Sequence, residues 1–206
     1  MSSPAETTTP PIDPGFDPLA FWIQHRTKIL LFTGLFLVAA ASYGVSEWHR
    51  IRTLDGARQL LVGAKTADDY RKVIADYPGT NAAGNAHLFL AEQLRKEGKL
   101  DESSALLRAF AEKYPLHPLV SGAWTSLAAN LEAQDKADEA LTTYQKVSTS
   151  YGASFSAPIA LMAQARLLTA KGKTEEAGRI YEQVISRYPD NIVSQQATQE
   201  NRQLKR

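Results

Sequence analysis

The sequence predicts an all-α protein: a solenoid of helical hairpins preceded by one transmembrane helix. The first observation is a period. Tyr77-Pro78, Tyr114-Pro115, Tyr151-Gly152 and Tyr188-Pro189 follow one another at intervals of 37 residues, and a fixed period of roughly 20 to 50 residues marks units that bury an apolar face against their neighbours. The second is a run from Ile29 to Val45 without a single charge. At about 1.5 Å per residue it is long enough to cross most of a hydrocarbon core. The third is the step of apolar residues between the tyrosines, three and four positions at a time, which is the helical and not the strand period.

Composition narrows the function classes. The 206 residues are 44% hydrophobic and 22% charged with a net charge of +1, so no basic stripe is available to follow a phosphate backbone and nucleic acid is not an expected partner. The absence of cysteine removes disulfides, a thiol nucleophile, cysteine-ligated metals and a lipobox, while fitting either redox compartment.

Taken in order, residues 1–27 form a tail, with five prolines among the first 18 positions, too poor in apolar groups to offset chain entropy and expected to be disordered. Residues 28–46 form the transmembrane helix. Trp22 and Trp48 flank it where an interfacial aromatic belt belongs. A buried core helix would need a polar face that this run lacks; a signal peptide cleaved near Ala39-Ala40-Ala41 stays open as an alternative, against an unusually long leading segment. Residues 47–190 hold the repeats, at about 47–79, 83–115, 120–152 and 157–189.

The first repeat is degenerate. Trp48, Ile51, Leu54, Ala57 and Leu61 carry the helix past the membrane, and Thr66 caps a short helix that bears Tyr70, Val73 and Tyr77 and stops at Pro78-Gly79. Each later unit is a helix, a turn and a second helix. First helices cover about 83–97, 120–134 and 158–171, and the turns fall at Gly98, Asp135 and Gly172, residue types that tolerate the left-handed backbone closing a helix. The second helices open on Asp101-Glu102, Asp138-Glu139 and Glu175-Glu176, acids that favour the positive end of the helix dipole. Residues 191–206 keep helical propensity but turn polar, as a capping helix must.

In register, the columns of these units resemble the tetratricopeptide repeat. The small column of the first helix holds Ala91, Ala128 and Ala165; the Leu column Leu90, Leu127 and Gln164; the next large column Leu94, Leu131 and Leu168; the bulky column His87, Trp124 and Leu161. The second helix supplies Ser103, Ala140 and Ala177, then Leu107, Tyr144 and Tyr181, with Pro115 and Pro189 at the end. Gln164 and Gly152 depart from the pattern, and the period is three residues longer than the usual ~34. By its architecture the chain also resembles the YfgM-like family, single-span ancillary subunits of the bacterial Sec translocon, and competing with it are tethered envelope-assembly and cell-division adaptors with the same Tyr-Pro endings. The first resemblance implies a helical-hairpin scaffold that binds proteins or extended peptides. The second implies an inner-membrane anchor, a cytoplasmic N-terminus, periplasmic repeats, and partners among the translocon, chaperones and exported proteins.

No constellation for catalysis stands out, and no enzyme activity, cofactor or metal is expected. His25, His49, His87 and His117 are far apart and without metal-ligand spacing, and no phosphate loop or nucleophile elbow is present; His87 reads as a packed helix residue. The geometry of the resembled family places the binding groove on first-helix positions: Asn85, Leu88, Glu92 and Arg95; Thr125, Ala129 and Glu132; Ile159, Met162 and Arg166. Leu88, Glu92, Thr125 and Ala129 are not the Lys and Asn that clamp acidic chaperone C-termini in that family, which disfavours such a partner. Leu88 and Met162 have an alternative use, packing on a neighbouring helix or on an oligomer mate. Topology is contested: Arg26 and Lys28 precede the apolar run while Arg50, Arg52, Arg58 and Lys65 follow it, and a simple positive-inside count would leave the repeats in the cytoplasm.

Overall fold

The computed structural model describes residues 18–205, with nine helices and no strand among them. The chain divides into two compact units, a helical segment up to Ile51 and a repeat unit from Arg52 onward.

Helix α1 runs from Pro18 to Gly63. Residues 18–27, expected in the disordered tail, are therefore helical, and the remainder of that tail lies outside the described residues. Pro18 suits the first helical position, where the missing N–H has no helical partner to lose, and the following Leu, Phe, Trp and Ile continue the turn without a breaker. Phe21–Gly63 is long and apolar enough to cross a membrane, with a window of mean hydropathy 1.9 and none of that window buried.

The repeat unit alternates first and second helices. The last turns of α1 pair with α2 (Ala67–Asp76), α3 (Asn81–Lys96) with α4 (Leu100–Lys113), α5 (Val120–Ala133) with α6 (Ala137–Ser150), and α7 (Ser156–Ala170) with α8 (Thr174–Arg187). From α2 to α9 each helix packs on the next, and the first helices also touch one another, α5 on α7 and α7 on α9 (Ile192–Leu204). The hairpin turns close as their residue types require: Gly98, Asp135 and Gly172 sit at φ of 76°, 58° and 74°, the left-handed region. Thr66 forms a full capping box with Asp69, and Thr80 and Asn191 cap α3 and α9 through their side chains.

Burial follows the predicted columns. Ala91, Ala128 and Ala165 are inaccessible, as are Ser103, Ala140 and Ala177, so the two helices of each pair meet where their side chains are smallest. Ser103 turns its polarity inward, its Oγ donating to the carbonyl of Ala91 (2.7 Å) and accepting from Asn130 Nδ2 (2.9 Å), which joins the second repeat to the third. A further small column had not been read from the sequence: Ala86, Ala123, Ala160 and Ala197, all buried. Its fourth member shows that α9 is the first helix of a fifth unit. There the Leu and Ala columns are taken by Asn201 and Arg202, and a polar face stands where a second helix would pack.

Candidate functional site

The first helices present one face to the second helices and another outward, where two adjoining hollows form. One, of about 190 Å³, lies between α3 and α5, with Leu88, Glu92 and Arg95 facing Leu119, Gly122 and Ser126 above Leu107. The other, of about 320 Å³, collects Thr125 and Ala129 from α5, Ile159, Met162 and Arg166 from α7, and Gln196 and Glu200 from α9. Its floor is Tyr144 and Tyr181. Eight of the ten anticipated residues thus line the two hollows, because the 37-residue register returns the same helical face in each unit.

The other two behave differently. Asn85 lies half-buried outside both hollows, with Oδ1 unpartnered. Glu132 is already engaged: Arg166 Nη2 lies 2.5 Å from one carboxylate oxygen, and the Tyr144 hydroxyl donates to the other at 3.3 Å. Burial, and then the neighbouring Glu132 carboxylate, push the Tyr144 phenol pKa upward, so it is a neutral donor at any ordinary pH. Glu92 is occupied too. It accepts from Nε and Nη2 of Arg95, both at 2.9 Å, and the Arg95 hydrogen bonds hold its pKa below the usual carboxylate value. The ion pairs neutralise both acids, leaving the centre of the groove to Leu88, Leu119, Ala129, Ile159 and Met162.

Several residues of this face were not anticipated. Phe89 is half-exposed, its ring 5.6 Å from that of Tyr70, and it holds the position that Ser126 and Ala163 hold in the next two units. Residues 191–206 had been read only as a polar cap; the continued register of α9 makes its Gln196 and Glu200 a wall of the second hollow. That signal was present in the sequence as the alanine at 197, one period after Ala160. Among the described residues no group of three or more His, Asp or Glu converges as a metal site would require.

No curated protein matches the chain. Crystal structures of nearly identical TPR-like repeats of a kinesin light chain candidate from Podosopora anserina, and of a single-substitution variant, share its fold. They are 18% identical, cover 75% of this chain and 91% of theirs, and superpose with a TM-score of 0.52; at this identity the likeness concerns fold alone. The tetratricopeptide repeat-like domain family matches residues 20–200, and with its hairpin columns and turns in place, the chain belongs to the tetratricopeptide repeat-like domain family.

Proposed function

We propose that this chain is a membrane-anchored scaffold at a bacterial inner membrane, recruiting a protein or an extended peptide through the groove of its first helices. The observation that carries the reading is the groove itself: an apolar centre whose Glu92 and Glu132 are neutralised by neighbouring arginines, open to solvent along several repeats. A site of this kind favours apolar side chains of a bound segment over a charged terminus, and tetratricopeptide-like folds are typically non-catalytic interaction scaffolds. The exposed apolar run of α1 supports the anchor. Its architecture supports a role beside the translocon and the periplasmic chaperone network, with envelope-assembly or cell-division adaptors as the alternative. The cationic cluster Arg50, Arg52, Arg58 and Lys65 favours a second reading, a scaffold facing the cytoplasm.

The test uses a photo-crosslinking amino acid at Thr125 in the full chain. Ile159 is 46% exposed, so Ile159→Asp places a charge in the groove without opening the core. The variant should keep its helicity and melting temperature and lose the crosslinked partners. Undiminished capture of the same partners by a folded Ile159→Asp protein would move the binding surface away from the groove.

A further inference from the structure

Beside the columns that bury the helices, one column runs along the groove: Phe89 on α3, Ser126 on α5, Ala163 on α7 and Glu200 on α9, each 37 residues after the last. Its two middle members are small and line the two hollows, so nothing from this column fills the middle of the groove. Its ends are large and unlike. Phe89 is 51% exposed, its ring tilted on that of Tyr70, and it extends the apolar surface of Leu88 at the α3 end. Glu200 stands in the wall of the second hollow. Burial raises the pKa of the Tyr181 phenol on the floor, a Thr169 hydrogen bond opposes the rise, and the Glu200 carboxylate adds to it, as a charge facing the floor would. That charge is uncompensated. Arg166 is held by Glu132 and Lys205 by Glu182, the residues a turn away on α9 are Gln196, Ala197, Gln203 and Leu204, and among the described residues no cation pairs with Glu200.

We propose that the groove takes an extended peptide segment in one orientation, with a lysine or arginine against Glu200 at the α9 end and an aromatic or branched apolar side chain against Phe89 at the α3 end; this rests on the groove reading above. Two observations select this occupant. The hollows, at about 190 and 320 Å³, lie at or below the ~300 Å³ lower end of small-molecule pockets, and two of them in succession suit successive side chains of one extended backbone. The charge pattern selects the ends. Glu92 and Glu132 already hold arginines, so the acid with charge to spare is Glu200, and a cation brought to it from a segment makes a charge-assisted hydrogen bond that a neutral residue cannot. An acidic segment meets repulsion at that same point. The length of the segment follows from the fold: three steps between neighbouring first helices of roughly 8–10 Å each make a path that about eight extended residues cover.

The test selects a phage-displayed library of random peptides, about ten residues long, on the full chain in nanodiscs, with empty nanodiscs as the counter-selection. The selected peptides should share a large apolar residue at one end and Lys or Arg at the other. For a synthetic peptide of that kind, Glu200→Gln should weaken binding roughly three- to tenfold, the span between an exposed and a half-buried charged contact, and Glu200→Lys selected afresh should return Asp or Glu in place of the cation. Phe89→Ser, which installs the residue type of Ser126, should weaken binding and leave the charge preference intact. The wild-type affinity should also fall as salt is raised, a readout that needs no variant, and the Glu200→Gln affinity should stay nearly level. No binder above empty nanodiscs, or binders that the folded Ile159→Asp protein retains, would overturn the groove reading and this inference together. Peptides that Ile159→Asp loses but that carry no cation, or that bind independently of salt and of Glu200→Gln, leave the groove standing and dismiss its polarity.

Discussion

Ala128 is fully buried, and what selects it is distance: any larger group would force α5 from its partner helix. Ala128→Leu should therefore overpack the junction and lower stability by about 1–3 kcal/mol, read as a lower urea midpoint of the full chain in detergent, whereas Ser126→Leu, two positions away and exposed, should leave the midpoint in place. Equal midpoints for both variants would show that the helix register is wrong. This column was legible because a small residue at a fixed period has one common explanation. The engagement of Glu132 was not. Its partners lie 12 and 34 residues away, at Tyr144 and Arg166, and nothing in composition or spacing tells a free groove carboxylate from one held between repeats. With the arginine side chain largely exposed the gain is modest; its effect is to remove a charge from the groove.

At the scale of elements, the junction of α3, α4 and the α4–α5 loop is built on aromatic rings. Phe110 lies between His87 and His117, with centroids 6.4 Å and 5.1 Å away, and Tyr114 touches all three. His87 Nδ1 donates to the Ala83 carbonyl at 2.8 Å. His117 Nδ1 accepts from the Leu119 N–H at 3.1 Å, which leaves its proton on Nε2. Burial holds both imidazoles below the ordinary value of 6.5; for His87 the Ala83 hydrogen bond opposes the shift and Lys113 adds to it. The fold therefore favours the neutral rings. Their contribution is fully present above the unfolded value of about 6.5 and declines as pH falls through the lower folded values. The melting temperature should drop between pH 7 and pH 5, and His87→Phe with His117→Gln should flatten that decline; the same pH slope in wild type and variant would dismiss the histidines as its source. The sequence marked His87 as packed because it holds a bulky column, but the pairing with His117 depends on a loop conformation that periodicity does not encode. Hairpin turns were legible to the residue through Gly98, Asp135 and Gly172. Helix starts were less so: α3 and α7 each begin two residues before their expected starts at 83 and 158, and α1 begins at Pro18.

The whole molecule was legible where physics is periodic and obscure where it is not. The four tyrosines revealed the repeat architecture, and the polar residues 191–206 suggested the cap, yet the direction in which an anchored chain would cross a membrane rests on a few charges that conflict with its architecture. With alkaline phosphatase fused after Arg206, activity is the expected outcome for periplasmic repeats; an inactive phosphatase fusion with a fluorescent green-protein counterpart would place them in the cytoplasm. One further property of the repeat unit follows from ties that cross its boundaries at a constant offset. Gln134 donates to Asp101 at 3.0 Å, and one period later Lys171 reaches Asp138 in the same way. Loss or gain of an entire 37-residue unit restores such pairs with a partner at the same distance along the chain. Removal of any other internal stretch breaks the offset for every pair that spans it. Changes in the length of this chain are therefore quantised, and a truncation series cut in whole periods would retain a set of nested, foldable proteins where one cut between periods would not.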